Sequence, residues 1–158
     1  MDTSFQINHT TLLPGIYVSR KDTFDTTTIT TFDLRFKMPN REPVMDMPVM
    51  HSFEHLGATY IRADQEWGPR TIYFGPMGCR TGFYLIFAGD LNPGDILHLM
   101  VNMVDWILSY QGDVVGAKPA ECGNWREHNL EMTKYESRLW AAVLKNAGPE
   151  NFVYPQKE

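Results

Sequence analysis

The string HSFEHL at residues 51–56 constrains what this chain can fold into more than any other segment. Coiled as a helix, it sets His51 and His55 one turn apart on the same face, with the carboxylate of Glu54 between them. Val49, Phe53, Leu56 and Tyr60 fall at helical spacing and form an apolar stripe, with the imidazoles off to one side. The segment therefore reads as a core-facing helix. Its flank carries either a divalent-metal clamp with a built-in base or two ordinary half-buried histidines. The order H-x-x-E-H is a metalloenzyme signature. Two imidazoles do not complete such a centre, because a catalytic zinc-like site takes three protein ligands and keeps a fourth position for water or substrate. The chain has five histidines and two cysteines, so few side chains can supply the third.

With 158 residues, one compact domain spanning 1–158 is expected. A net charge of −5 without a lysine or arginine cluster argues against a nucleic-acid partner. No apolar run approaches a membrane span, and the N-terminus lacks the basic start and apolar block of a secretory signal. The cytoplasm is the expected compartment, where Cys79 and Cys122 stay reduced rather than pairing, and where the glycosylation-like Asn8-His9-Thr10 is a chance match.

Residues 23–38 are threonine-rich and end in alternation. Phe32, Leu34, Phe36 and Met38 point one way, and Asp33, Arg35 and Lys37 the other. That pattern predicts a half-buried strand, hairpinned with an earlier segment and closed by Pro39-Asn40. The histidine helix runs from about Pro48 to about Arg62. Strands are expected at Thr71–Phe74 and Gly82–Ala88. A turn at Asn92-Pro93-Gly94-Asp95 opens an apolar helix through Tyr110, ended by Gly112. A last helix covers roughly Asn124 to Asn146, with His128, Met132, Tyr135, Leu139 and Val143 as its stripe. This order suggests α+β, an antiparallel sheet with helices packed on one face.

Cys79 sits in a loop punctuated by Gly75, Gly78 and Gly82, where backbone can approach a ligand closely. A thiol there could serve as acid, base or nucleophile beside positive charge, or could be inert. A phosphatase loop is excluded, since C-x5-R would need arginine where Leu85 stands; GPMGCRTG is no Walker loop either. Cys122, placed just before the last helix, could join His51 and His55 in a His2Cys set with an open position. Such a mixed set suits zinc, iron(II) or cobalt(II) better than magnesium or calcium. His98 reads as a satisfied or surface histidine. His9, Arg35 and Arg62 could touch a substrate, but by default are ordinary polar residues.

Taken together, these segments resemble the S-ribosylhomocysteine lyase (LuxS) family. The matching pieces are Ser4-Phe5 with Asn8-His9-Thr10, Phe32-Asp33-Leu34-Arg35-Phe36 with Pro39-Asn40, HSFEHL leading to Ile61-Arg62, PMGCRTGFYL at 76–85, and ECGN with His128-Asn129-Leu130-Glu131. They span nearly the whole chain in family order. The resemblance implies a LuxS/metallohydrolase-like α+β fold and a homodimer with active sites at the interface. It implies cleavage of the thioether of S-ribosylhomocysteine to homocysteine and 4,5-dihydroxy-2,3-pentanedione, the autoinducer-2 precursor of quorum sensing. By position, His51, His55 and Cys122 hold iron(II), for which zinc or cobalt can substitute. Glu54 and Cys79 move protons, and Ser4, His9, Arg35 and Arg62 line the substrate pocket.

That chemistry needs these residue types. The sugar carbonyl must migrate twice along the ribose before the thiolate can leave by β-elimination. Each shift removes a proton beside a carbonyl, so a Lewis acid and positioned bases are required. Two positions depart from the family pattern: Tyr73-Phe74-Gly75 replaces Asp-Ile-Ser before PMGC, and Asn8 replaces Asp. An inverted-zincin metallopeptidase is the rival within enzymes, though such enzymes usually take a carboxylate as third ligand and are much larger. A non-catalytic metal-binding module is the rival outside them.

Overall fold

The computed structural model describes residues 3–156. Strand β1, Gly15–Phe24, turns back through Asp25 (φ 52°) into β2, Thr27–Arg35. The pair is antiparallel, with Ile16 opposite Leu34 and a register shift between Val18 and Arg20. Asn40, also at positive φ (62°), redirects the chain beyond β2, where Pro39-Asn40 was expected to close the strand. Strands β3, Thr71–Pro76, and β4, Gly82–Ala88, complete a four-stranded sheet in the order β1-β2-β4-β3, antiparallel throughout. The threonine-rich strand is therefore internal.

Three helices cover one face: α1, Met47–Ala63, α2, Pro93–Ser109, and α3, Leu130–Lys145. Helix α1 starts where Pro48 tolerates the missing donor of a first turn. Helix α2 starts where Asp95 accepts the Asn92 N–H at 2.7 Å. From α1, Val49, Phe53 and Leu56 enter one core with Phe32, Leu34 and Phe36, as their spacing required, joined by Phe83, Leu85 and Phe87 of β4. The α+β expectation holds. No helix among the described residues is long and apolar enough to cross a membrane.

Two expectations fail. Helix α3 begins at Leu130 rather than near Asn124, because Asn129 caps it by accepting the Met132 N–H at 3.0 Å. Its expected stripe is also misplaced: Met132, Tyr135 and Leu139 are 43–46% exposed, and His128 precedes the helix. The buried face is Thr133, Ser137, Trp140, Ala141 and Leu144. Thr133 and Ser137 can be buried because their hydroxyls donate to the carbonyls four residues back. Trp140 stacks on Phe36 at 4.1 Å and donates its indole N–H to the Arg35 carbonyl at 2.9 Å.

The polar side of β2 is not solvated either. Asp33 and Arg35 are 1% and 3% exposed and joined by a 2.6 Å ion pair. Lys37, just beyond the strand, meets Glu136 of α3 at 2.6 Å. Over this second face lies a small cluster of Ile7, Leu12 and Tyr17, with Tyr154 stacked on Tyr17 at 4.7 Å. Chain ends fold back over a strand that periodicity alone assigns to water.

Candidate functional site

Helix α1 delivers His51 and His55 from consecutive turns, and the loop between α2 and α3 fixes their rings. His51 Nδ1 donates to the Glu127 carbonyl at 2.9 Å, and His55 Nδ1 donates to the Val115 carbonyl at 2.8 Å. A carbonyl only accepts, so each Nδ1 carries the hydrogen and each Nε2 presents a lone pair. Gly116, at φ 76°, lets the loop run this close: a Cβ there would lie 3.0 Å from His55 Nδ1.

The same loop brings Cys122 Sγ to 3.3 Å from His51 Nε2. Cys122 does not precede a helix N-terminus, as expected, because α3 starts eight residues later at Leu130. Its sulfur instead accepts the Asn124 N–H at 3.4 Å. One residue of this group escaped the sequence reading. His128 stacks on His51 with ring centroids 4.1 Å apart, and the ligand atoms of His51, His55, Cys122 and His128 all lie within 4.8 Å of one another. Burial, then the neighbouring His51 and His55, press the His128 pKa down to about 4, so its ring is neutral near pH 7. In the sequence it stands on the expected stripe of the last helix and in the segment that matches the family, without a role at the site.

These donors fit a transition metal. Donors that share one cation lie roughly 3.3–3.8 Å apart, a spacing that Cys122 Sγ and His51 Nε2 already have at 3.3 Å. Neutral imidazoles and a thiol suit zinc, iron(II) or cobalt(II). Glu54 Oε2 lies 3.7 Å from His55 Nε2, and its side chain is 33% exposed. It opens on a cleft of ≈ 280 Å³ lined also by Met50, His51 and Pro76. A second cleft, ≈ 190 Å³, shares Met50 and Pro76 with the first and reaches Gly78 and Arg80 beside Cys79.

Both cysteines are free thiols, and Cys79 is exposed at the tip of the β3–β4 loop. The loop is pinned where the Met77 N–H meets the Gly82 carbonyl at 2.9 Å and the Arg80 N–H meets the Met77 carbonyl at 3.0 Å. Cys79 Sγ lies 3.1 Å from Thr81 Oγ1 and 3.9 Å from Arg35 Nη1. Arg35 Nη1 also donates to Thr81 Oγ1 at 2.7 Å, so the threonine hydroxyl is free to direct its hydrogen at the sulfur. Thr81, unnoticed in the sequence, thus links guanidinium to thiol.

Arg35 is not the free cation that a substrate contact would need in this chain. Its Nε and Nη2 are taken by Asp33 at 3.1 and 2.6 Å, and Tyr154 donates to the same carboxylate at 2.8 Å. Burial alone would lower the Arg35 pKa, but the charge and hydrogen bonds of Asp33 outweigh it and raise it. Arg62 is exposed in the last turn of α1, two turns beyond His55 and so about 10 Å along the same flank. His9 is half-buried with Nδ1 on the Ile7 carbonyl at 3.0 Å. Among the described residues, no hydrogen bond or ion pair joins His9 or Arg62 to the histidine cluster or to Cys79. Ser4 belongs to the 3-10 turn Thr3–Gln6, and its side chain lies outside the described structure. His98 is exposed on α2.

Both departures from the family pattern have local consequences. Asn8 Oδ1 accepts from Thr10 N at 3.1 Å and Thr10 Oγ1 at 2.7 Å, a turn that needs only a carbonyl oxygen. The Tyr73 hydroxyl lies across Gly75, filling the space that a side chain there would take.

Residues 3–149 match the family model described as S-Ribosylhomocysteinase (LuxS). An S-ribosylhomocysteine lyase of Borreliella burgdorferi (strain ZS7) is 49% identical over 153 residues, covering 97% of this chain and 98% of its own. That of Clostridium acetobutylicum is 48% identical over 153 residues, covering 97% of each. That of Phocaeicola vulgatus is 47% identical over 156 residues, covering 98% of this chain and 97% of its own.

Proposed function

We infer the activity from one premise: this chain belongs to the S-ribosylhomocysteinase (LuxS) family, and it is an S-ribosylhomocysteine lyase that cleaves a carbon–sulfur bond. Residues 1–158 form a single catalytic domain in this reading. The observation that carries it is the convergence of His51, His55 and Cys122, whose ligand atoms lie within 4.8 Å of one another while loop carbonyls hold both Nδ1 atoms. His51, His55 and Cys122 hold iron(II), or zinc or cobalt in its place. When bound, the metal supplies Lewis acidity to the sugar carbonyl.

The chain's own groups do the proton work. Glu54, a partly exposed carboxylate beside His55, takes a proton from the carbon next to the carbonyl and returns it to its neighbour. Cys79 does the same from the other end of the adjoining clefts, steadied by Thr81 and Arg35. After two such shifts the homocysteine thiolate leaves by β-elimination, giving 4,5-dihydroxy-2,3-pentanedione. Arg35 acts through Cys79 in this account. Ser4, His9 and Arg62 contact the substrate, with Tyr73 offering a hydroxyl where the family has aspartate.

A homodimer with its active sites at the interface is part of the proposal, supported by the absence, among the described residues, of any hydrogen bond or ion pair joining His9 or Arg62 to the histidine cluster or to Cys79. The likeness to metallohydrolases is carried only by the histidine helix, and the cytoplasm is the proposed compartment. The decisive assay follows free thiol released from S-ribosylhomocysteine by iron-loaded protein, beside a peptide library monitored for new amines. Thiol release is expected from wild type. It should vanish with the metal in His55→Ala and Cys122→Ala, and vanish with metal retained in Cys79→Ala. Peptide cleavage without thiol release rejects the lyase in favour of a metallopeptidase.

A further inference from the structure

We propose that the cleft between the last turns of α1 and α2 binds a small organic ammonium ion, at a site separate from the histidine cluster and from Cys79. Thr59, Tyr60 and Ala63 of α1, its C-cap Asp64 and Trp106 of α2 line a space of ≈ 320 Å³. None of these residues takes part in the reaction assigned above, so the proposal stands or falls without it.

Aromatic surface is the first ground. The rings of Tyr60 and Trp106 lie 5.4 Å apart and meet at 44°, an open V rather than a stack, and Tyr110 abuts Trp106 edge-on at 5.2 Å. The negative face of such a ring attracts a cation placed over it. The chain has four tryptophans. Arg70 lies over Trp67 at 4.7 Å, Arg126 lies over Trp125 at 4.9 Å, and Trp140 is buried against Phe36. Among the described residues, only the indole of Trp106 is accessible without a cation of the chain over it.

Charge favours the same occupant. Asp64 sets a carboxylate at the negative end of the α1 dipole, where an anion is disfavoured and a cation favoured. Helix α2 ends beside it with no base in its last turn. Arg62 lies on the flank of His55 and does not line the cleft, and Lys145 is held by Asp105 at 2.7 Å. Burial, then the Asp64 carboxylate, raise the Tyr60 pKa, so the phenol stays neutral and Asp64 is the charge of the cleft. Size selects a free small molecule, since a space near the lower end of small-molecule sites seats a few heavy atoms rather than a peptide segment. An ammonium that carries methyl groups also gains contact with Ala63 and both rings, which a hydrated sodium ion does not.

The test titrates the full chain with choline, with its uncharged tert-butyl isostere and with sodium chloride, by calorimetry and by the NMR signals of the indole N–H groups. Choline should bind saturably and shift the signal that is missing from Trp106→Phe. The isostere should bind roughly fivefold more weakly or worse, and sodium should shift nothing. Trp106→Leu should weaken choline roughly two- to thirtyfold. Asp64→Asn should weaken it about fivefold while its amide oxygen still accepts from the Glu66 and Trp67 N–H groups, as Asp64 Oδ1 does at 2.9 Å. Thiol release should be unchanged in both variants. Absence of saturable choline binding overturns the proposal, as does a shift confined to another tryptophan, equal binding of the isostere, or unchanged affinity in Trp106→Leu. Should a variant fail to fold, the wild-type comparison of choline with its isostere decides. Wild-type protein that binds choline but releases no thiol sinks the lyase reading alone.

Discussion

Replacing Arg35 by methionine separates a substrate contact from a buried structural charge. In the structure, Arg35 and Asp33 are 3% and 1% exposed, joined at 2.6 and 3.1 Å. At an effective dielectric of about 20, two charges about 4 Å apart attract by about 4 kcal/mol. Removing one partner of such a buried pair costs about 3–5 kcal/mol, because the remaining charge is stranded. For a chain of this size that lowers Tm by roughly 6–20 °C. Urea denaturation of Arg35→Met, Asp33→Asn and the double variant is the assay. The double variant should recover a coupling of about 2–3 kcal/mol, since it removes both charges while the amide introduced at position 33 can still accept from Tyr154. Metal content should be unchanged in all three. If Arg35→Met unfolds within about 1 kcal/mol of wild type and merely raises KM, the buried-pair reasoning is refuted and Arg35 is a direct substrate contact.

The register of α3 is checked by two substitutions: Trp140→Ala should cost about 3–5 kcal/mol, while Leu139→Gln should stay within about 0.5 kcal/mol, both by urea denaturation. Alkaline pH should destabilise the fold. Burial, then the Asp33 carboxylate, raise the Tyr17 pKa above its ordinary value near 10, so the folded state holds a proton that the unfolded chain gives up. Burial and the same carboxylate also raise the Tyr154 pKa, so stability should be intact below pH 10 and fall above it by about 1.4 kcal/mol per pH unit for each of the two tyrosines; Tyr17→Phe should roughly halve that slope. Chelation of the metal should abolish thiol release, and iron(II) or cobalt(II) should restore it. Activity that survives complete metal removal would contradict the metal-centre reading.

Helical spacing in HSFEHL and alternation in Phe32, Leu34 and Phe36 determined which faces meet the core, because side-chain direction follows the backbone period and depends on nothing distant. The positions of His51, Glu54 and His55 were legible for the same reason. Polar faces were not. Asp33 and Arg35 are sealed by Tyr154, which lies 121 residues beyond Asp33, and Lys37 by Glu136. Whether such groups meet water or a partner depends on where remote segments come to rest. Thr133 and Ser137 inverted the stripe of α3 by satisfying their own hydroxyls locally, which hydrophobicity does not register. The centre itself divides along this line. Which residue types could bind a metal was written in the chain, but the loop carbonyls of Val115 and Glu127 that fix each ring, and the third imidazole stacked beside them, come together only once α1 and that loop have packed.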